Sequence, residues 1–124
     1  MKLRILGDTL RLRLAQGEVA QLRELGHVEQ SIHFGPEGTD AMSYAVISDR
    51  AAQRIQASFQ SGRIVVRIPH EQANDWVDGS DVSLRASQPA REDETLEILI
   101  EKDFKCLVPR TGEEDSDGFP NPSS

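Results

Sequence analysis

Cys106 is the single cysteine of the chain, and a lone thiol is a first place to look for chemistry. A nucleophilic cysteine needs its pKa lowered by a histidine, a basic neighbour or a helix N-terminus. Lys105 is adjacent in sequence, but neighbours along a strand face opposite ways, and Cys106 instead shares the parity of Phe104 on an apolar stripe. That placement favours an inert, buried thiol, with Cys106 kept as the candidate reactive group. His27, His33 and His70 are the only histidines. No pair of them has the close spacing of a zinc-ligand motif, so no metal ligand is expected. No catalytic constellation and no cofactor-binding motif emerges. Gly35-Pro36-Glu37-Gly38 places an acid and a proline where backbone amides would have to cradle an anion.

Arginines give the most specific surface pattern. Lys2, Arg4, Arg11 and Arg13 alternate with Leu3, Ile5, Leu10, Leu12 and Leu14, which sets them on the outward face of an opening hairpin. Arg63 and Arg67 alternate in the same way around Val65. Two accounts compete. These arginines can pair across the sheet with Glu97 and Glu101, each pair worth about 0.2–1 kcal/mol. Alternatively Arg4, Arg11, Arg13 and Arg67 form a face for an anionic ligand, an acidic partner, or the chain's own acidic stretch around Glu113–Asp117. The pairing account requires nothing further of them.

The elements that must position these residues follow from periodicity. Gly7-Asp8 turns the first hairpin, Val19 and Leu22 recur at helical spacing, and Gly26 offers a stop before a strand over Val28–Phe34. In that strand Val28, Ile32 and Phe34 are the expected inward set. Further strands are expected over Met42–Ile47 and Gln53–Phe59, the latter with Ile55, Ala57 and Phe59 inward. The Asp49-Arg50-Ala51-Ala52 connection could open a short helix instead. Ser61-Gly62 turns into Ile64–Ile68, Pro69 suits a helix start, and Ala73, Trp76 and Val77 form a buried stripe ended by Gly79. His70 is expected exposed in the first turn. Val82 and Leu84 begin another strand, Leu96, Ile98 and Ile100 mark the last one, and Phe104, Cys106 and Leu107 either continue it or pack just beyond it.

Strand, helix, glycine and strand thus occur twice in the same order at similar lengths. The expected fold is α+β, a mainly antiparallel, twisted or partly closed sheet with two short helices and two similar strand-helix-strand halves. Residues 1–108 form its single domain, and 109–124 an acidic, proline-containing, mobile tail.

Composition bounds the function. The 124 residues carry a formal net charge of -7, which argues against nucleic acid, since phosphate binding needs a clustered positive field. Hydrophobic residues make up 37% and charged residues 28%, with a mean hydropathy of -0.48, as in a folded, surface-rich domain. One cysteine allows no internal disulfide. Charges interrupt every apolar run near the N-terminus, so no signal peptide, membrane span or membrane contact is expected, and a cytoplasmic location is the default.

Glu101-Lys102-Asp103-Phe104-Lys105-Cys106-Leu107, followed by Glu114-Asp115-Ser116-Asp117 and Phe119-Pro120-Asn121-Pro122, resembles the closing signature of a family of short bacterial proteins of unknown function. The opening Met1–Ile5 through Leu10–Leu14 resembles the same family's start. The resemblance spans essentially the whole chain and implies a bacterial, cytoplasmic source; it carries no activity or site residue. The sequence therefore favours a small non-enzymatic interaction or accessory protein that binds an unknown protein partner or itself. The alternative is a small ligand-binding or hydrolytic enzyme acting on an anionic metabolite through an arginine-lined face or Cys106.

Overall fold

The computed structural model describes residues 1–104. The expected domain boundary after residue 108, Cys106 with Leu107, and the acidic tail lie outside the described residues.

Each half of the chain is a hairpin, a helix and a second hairpin strand pair. The first half runs β1 (Lys2–Leu6), β2 (Thr9–Leu14), α1 (Gln16–Leu25), β3 (His27–His33) and β4 (Ala41–Asp49). The second runs β5 (Gln56–Gln60), β6 (Arg63–Pro69), α2 (His70–Asp78), β7 (Ser83–Pro89) and β8 (Thr95–Lys102). Both opening hairpins use two-residue turns that need positive φ. Gly7 has φ 55°, and Ser61 and Gly62 have φ 52° and 74°, the last pair being the requirement of a type I′ turn.

The two-part plan and the α+β class are therefore present, but the sheet is divided. Two four-stranded sheets form, ordered β1-β2-β8-β7 and β3-β4-β6-β5. Each sheet joins the first hairpin of one half to the second hairpin of the other. The junctions are parallel, β2 with β8 and β4 with β6, whereas all other pairs are antiparallel. Exchange between halves lets one core serve both, because neither half has a complete sheet of its own.

Leu10, Leu12, Leu14, Ile98 and Ile100 from one sheet meet Val28, Val46, Val66 and Ile68 from the other, all buried. Leu22 of α1 and Ala73 and Trp76 of α2 complete this core. The helices do not lie on one side of a single sheet. They follow the ends of β2 and β6, touch each other, and are tied by Arg23 Nε to Asp78 Oδ1 at 3.2 Å. Lys102 Nζ lies 5.3 Å from the Trp76 ring centroid and donates to the Gly79 carbonyl at 3.0 Å. There it supplies positive charge to a helix C-terminus.

At one place the sheets are joined edge to edge. The Gln88 side chain on β7 donates to the Ala57 carbonyl at 2.9 Å and accepts from its N–H at 2.8 Å. One amide thus does what a strand neighbour's backbone would do, satisfying an edge that would otherwise need water.

Several inward assignments change at the end remote from the helices. Ile32, Phe34 and Phe59 are exposed at 45%, 74% and 65%, because the strands extend past the last layer that the described residues cover. β5 begins at Gln56, not Gln53. The Asp49 connection is a turn, its Oδ1 accepting from Ala51 N at 2.8 Å, with no helix.

Candidate functional site

Ladder register decides which arginines share a face. In the first sheet Arg4 pairs with Arg11, Arg11 with Leu99, and Leu99 with Arg85. These four residues form one row across the outer face. The adjacent row is Lys2, Arg13, Glu101 and Ser83. Arg4, Arg11 and Arg13 are therefore brought together as their alternation predicts. Arg67 is not among them: it lies on β6, in the other sheet. The reason is that β2 and β6, although equivalent in the two halves, are central strands of separate sheets.

Part of the face is neutralised. Arg11 Nε and Arg13 Nη2 both reach Glu101 Oε1, at 3.2 and 3.4 Å, and Lys2 Nζ reaches Asp103 Oδ2 at 3.1 Å. The expected pairing with Glu101 thus forms. Glu97 instead accepts from the Thr95 hydroxyl at 3.3 Å. Arg4 and Arg85 are exposed and form no ion pair among the described residues. Between Arg11 and Arg85, Leu99 is only 6% exposed although it lies on the outer face. Long arginine stems cover apolar surface in this way while their guanidinium groups stay in water. Arg85, which is not among the arginines expected on this face, is legible in the sequence by its alternation with Leu84 and Ala86.

The outer face of the second sheet differs. Arg63 donates to both carboxylate oxygens of Glu29, at 2.8 and 3.0 Å. This contact holds the Glu29 carboxyl below its ordinary value, the arginine hydrogen bond being the largest cause, and raises Arg63. Arg67 Nη1 lies 3.5 Å from Asp49 Oδ2. Each of these arginines has its own acid.

His70, expected exposed, is half-buried and engaged at both ring nitrogens. Ser48 Oγ lies 3.0 Å from Nδ1, and Asn74 Nδ2 lies 3.1 Å from Nε2. A serine, histidine and amide in contact invite comparison with a nucleophilic triad. Which ring nitrogen carries the proton follows the orientation of the Asn74 amide, and in either arrangement the cluster ties β4 to α2. The i, i+4 spacing of His70 and Asn74 was visible in the sequence; the approach of Ser48 depends on β4 and was not.

A cleft of about 320 Å³ opens between the sheets at the end remote from the helices, lined by Ile5, Leu10, Ala57, Phe59, Ile64 and Leu96 among others. No arginine lines it. Among the described residues no group of three or more histidine, cysteine, aspartate or glutamate side chains could hold a metal ion, and no helix is long and apolar enough to cross a membrane.

The chain belongs to a family of unknown function, DUF7009, whose model matches residues 1–123. That span includes both the arginine-bearing strands and the acidic segment Glu113–Asp117. No curated protein and no solved structure matches the chain.

Proposed function

We propose that this is a non-enzymatic binding protein of the cytoplasm, and that it holds an acidic polypeptide segment against the outer face of the sheet β1-β2-β8-β7. The supporting observation is the pair Arg4 and Arg85, exposed in one row beside Arg11 and free of acidic partners among the described residues. That face carries Lys2, Arg4, Arg11, Arg13 and Arg85 against Glu97, Glu101 and Asp103, a surplus of two positive charges on a chain of net charge -7. Guanidinium groups suit carboxylates because their planar donors match the two acceptor oxygens. A row of guanidinium groups running across all four strands fits an extended acidic chain better than a small metabolite, which needs a concave site.

The test is binding of a poly-glutamate peptide, followed by fluorescence anisotropy across a salt series. R4Q/R85Q should bind about tenfold more weakly than the unsubstituted chain, two exposed charge contacts being worth roughly 1–2 kcal/mol together. Equal affinity of the two proteins would overturn the reading.

A further inference from the structure

We infer that the arginine row is a docking site for the chain's own segment Glu113–Asp117, so that an acidic partner must displace it; this rests on the binding reading above. Three observations carry it. The first is charge: Glu113, Glu114, Asp115 and Asp117 supply four carboxylates within five residues, and Arg4 and Arg85 have no acidic partner among the described residues. Glu101 is already shared by Arg11 and Arg13, and Glu97, which borders the row, forms no ion pair among the described residues.

The second is reach. Asp103 leaves β8 on this same face, held by Lys2. From its position to the Leu99 row is about 13 Å along the strand direction, whereas the nine residue steps from Phe104 to Glu113 can span up to about 30 Å. The third is dimension. Arg4 and Arg85 stand on the two edge strands, three strand spacings apart, or about 14 Å. An extended chain from Glu113 to Asp117 spans about 13 Å. A segment crossing the strands can therefore put a carboxylate at each end arginine at once, over the side chain of Leu99. The segment also lies inside the span that defines the family, residues 1–123.

Tethering makes the contact intramolecular, with an effective concentration in the millimolar range for a short flexible connection. A weak surface interaction then suffices to occupy the face, and a partner with more carboxylates can displace it.

Two measurements on the full chain test this. The first places a nitroxide at position 116 (S116C in a C106S background) and reads paramagnetic broadening of backbone amides. Broadening is expected at Arg4, Leu99 and Arg85 at about 0.05 M salt. It should vanish at 1 M salt, where the screening length is about 3 Å, and in R4Q/R85Q. Absence of broadening at low salt would overturn the inference. The second compares poly-glutamate binding to the unsubstituted chain and to E113Q/E114Q/D115N/D117N. The neutralised protein should bind about five- to tenfold more tightly, because nothing competes for the row. Equal affinities would overturn tail docking and leave the binding face standing. Broadening with no peptide binding to the neutralised protein would overturn the partner-binding reading and leave the tail contact standing.

Discussion

The two sheets are built on one plan and finished differently. Each has a central strand that alternates leucine or a β-branched residue with arginine, and each joins a hairpin from one half to a hairpin from the other. On β3-β4-β6-β5, Arg63 and Arg67 each meet an acid of their own, Glu29 and Asp49. On β1-β2-β8-β7, two arginines share Glu101 while Arg4 and Arg85 have no acid among the described residues. Folding demands only the inward set, so the outward charges are free to diverge. Saturation on one sheet and surplus on the other points to the second as the place where something else binds.

If that contrast is one of outer faces only, the interiors must be equivalent. Ile68 on β6 and Ile100 on β8 are both fully buried in the shared core. Ile68→Ala and Ile100→Ala should each cost about 2–5 kcal/mol, the usual range for emptying a core position. Urea unfolding with a common transition slope measures both. A cost below 1 kcal/mol for either one would mean that the sheets do not share a single cooperative core, and the comparison would lose its basis.

The two helix stops separate the halves by a smaller amount. Gly26 has φ 81°, a left-handed conformation, with open space where a Cβ would stand. Gly79 has an ordinary φ of -96°, but a Cβ there would come 2.6 Å from the Asp75 carbonyl oxygen. Gly79→Ala must therefore displace the last turn of α2, at about 1–3 kcal/mol. Gly26→Ala pays only for its dihedral angles, about 1–2 kcal/mol. Amide exchange distinguishes them: G79A should lose protection at Val77 and Asp78, whereas G26A should lower global stability without selective loss in α1. Selective fraying in G26A would contradict this division.

These glycines also mark how far the sequence could be read. Their positions after two amphipathic stretches were visible, as were the alternating cores of β2, β6 and β8, because period and turn chemistry are local. The different reasons for the glycines depend on backbone geometry and were not visible. The parallel joining of Thr9–Leu14 to Thr95–Lys102 crosses more than eighty residues, and nothing in either segment names its partner. That pairing decides which arginines share a face, so Arg67 could be read as outward yet not assigned to the correct sheet. Alternation shows which way Ile32, Phe34 and Phe59 point, but not that, among the described residues, the covering layer ends before them. Arg85 is the reverse case, a residue whose outward parity between Leu84 and Ala86 is legible locally.

The last distinction is electrostatic. Glu29 is held below its ordinary 4.5 chiefly by the Arg63 hydrogen bond, so its folded form binds a proton less readily than its unfolded form. Its contribution to stability is therefore fully present above the unfolded value and fades as pH falls through the lowered folded one. Both partners are about a third exposed or more, which limits the worth of the pair to about 0.2–1 kcal/mol near neutrality. Glu29→Gln should destabilise the protein by that amount at pH 7, and the gap should close as pH falls through the lowered folded value, as protonation removes the wild-type advantage. Arg4→Gln and Arg85→Gln remove no ion pair among the described residues, and should leave stability within about 0.5 kcal/mol while weakening acidic-peptide binding. If E29Q kept its deficit at low pH, the pair would be acting through packing and not charge. If R4Q destabilised the fold as much as E29Q, Arg4 would be a structural residue, and the surplus on the first sheet would no longer mark a binding face.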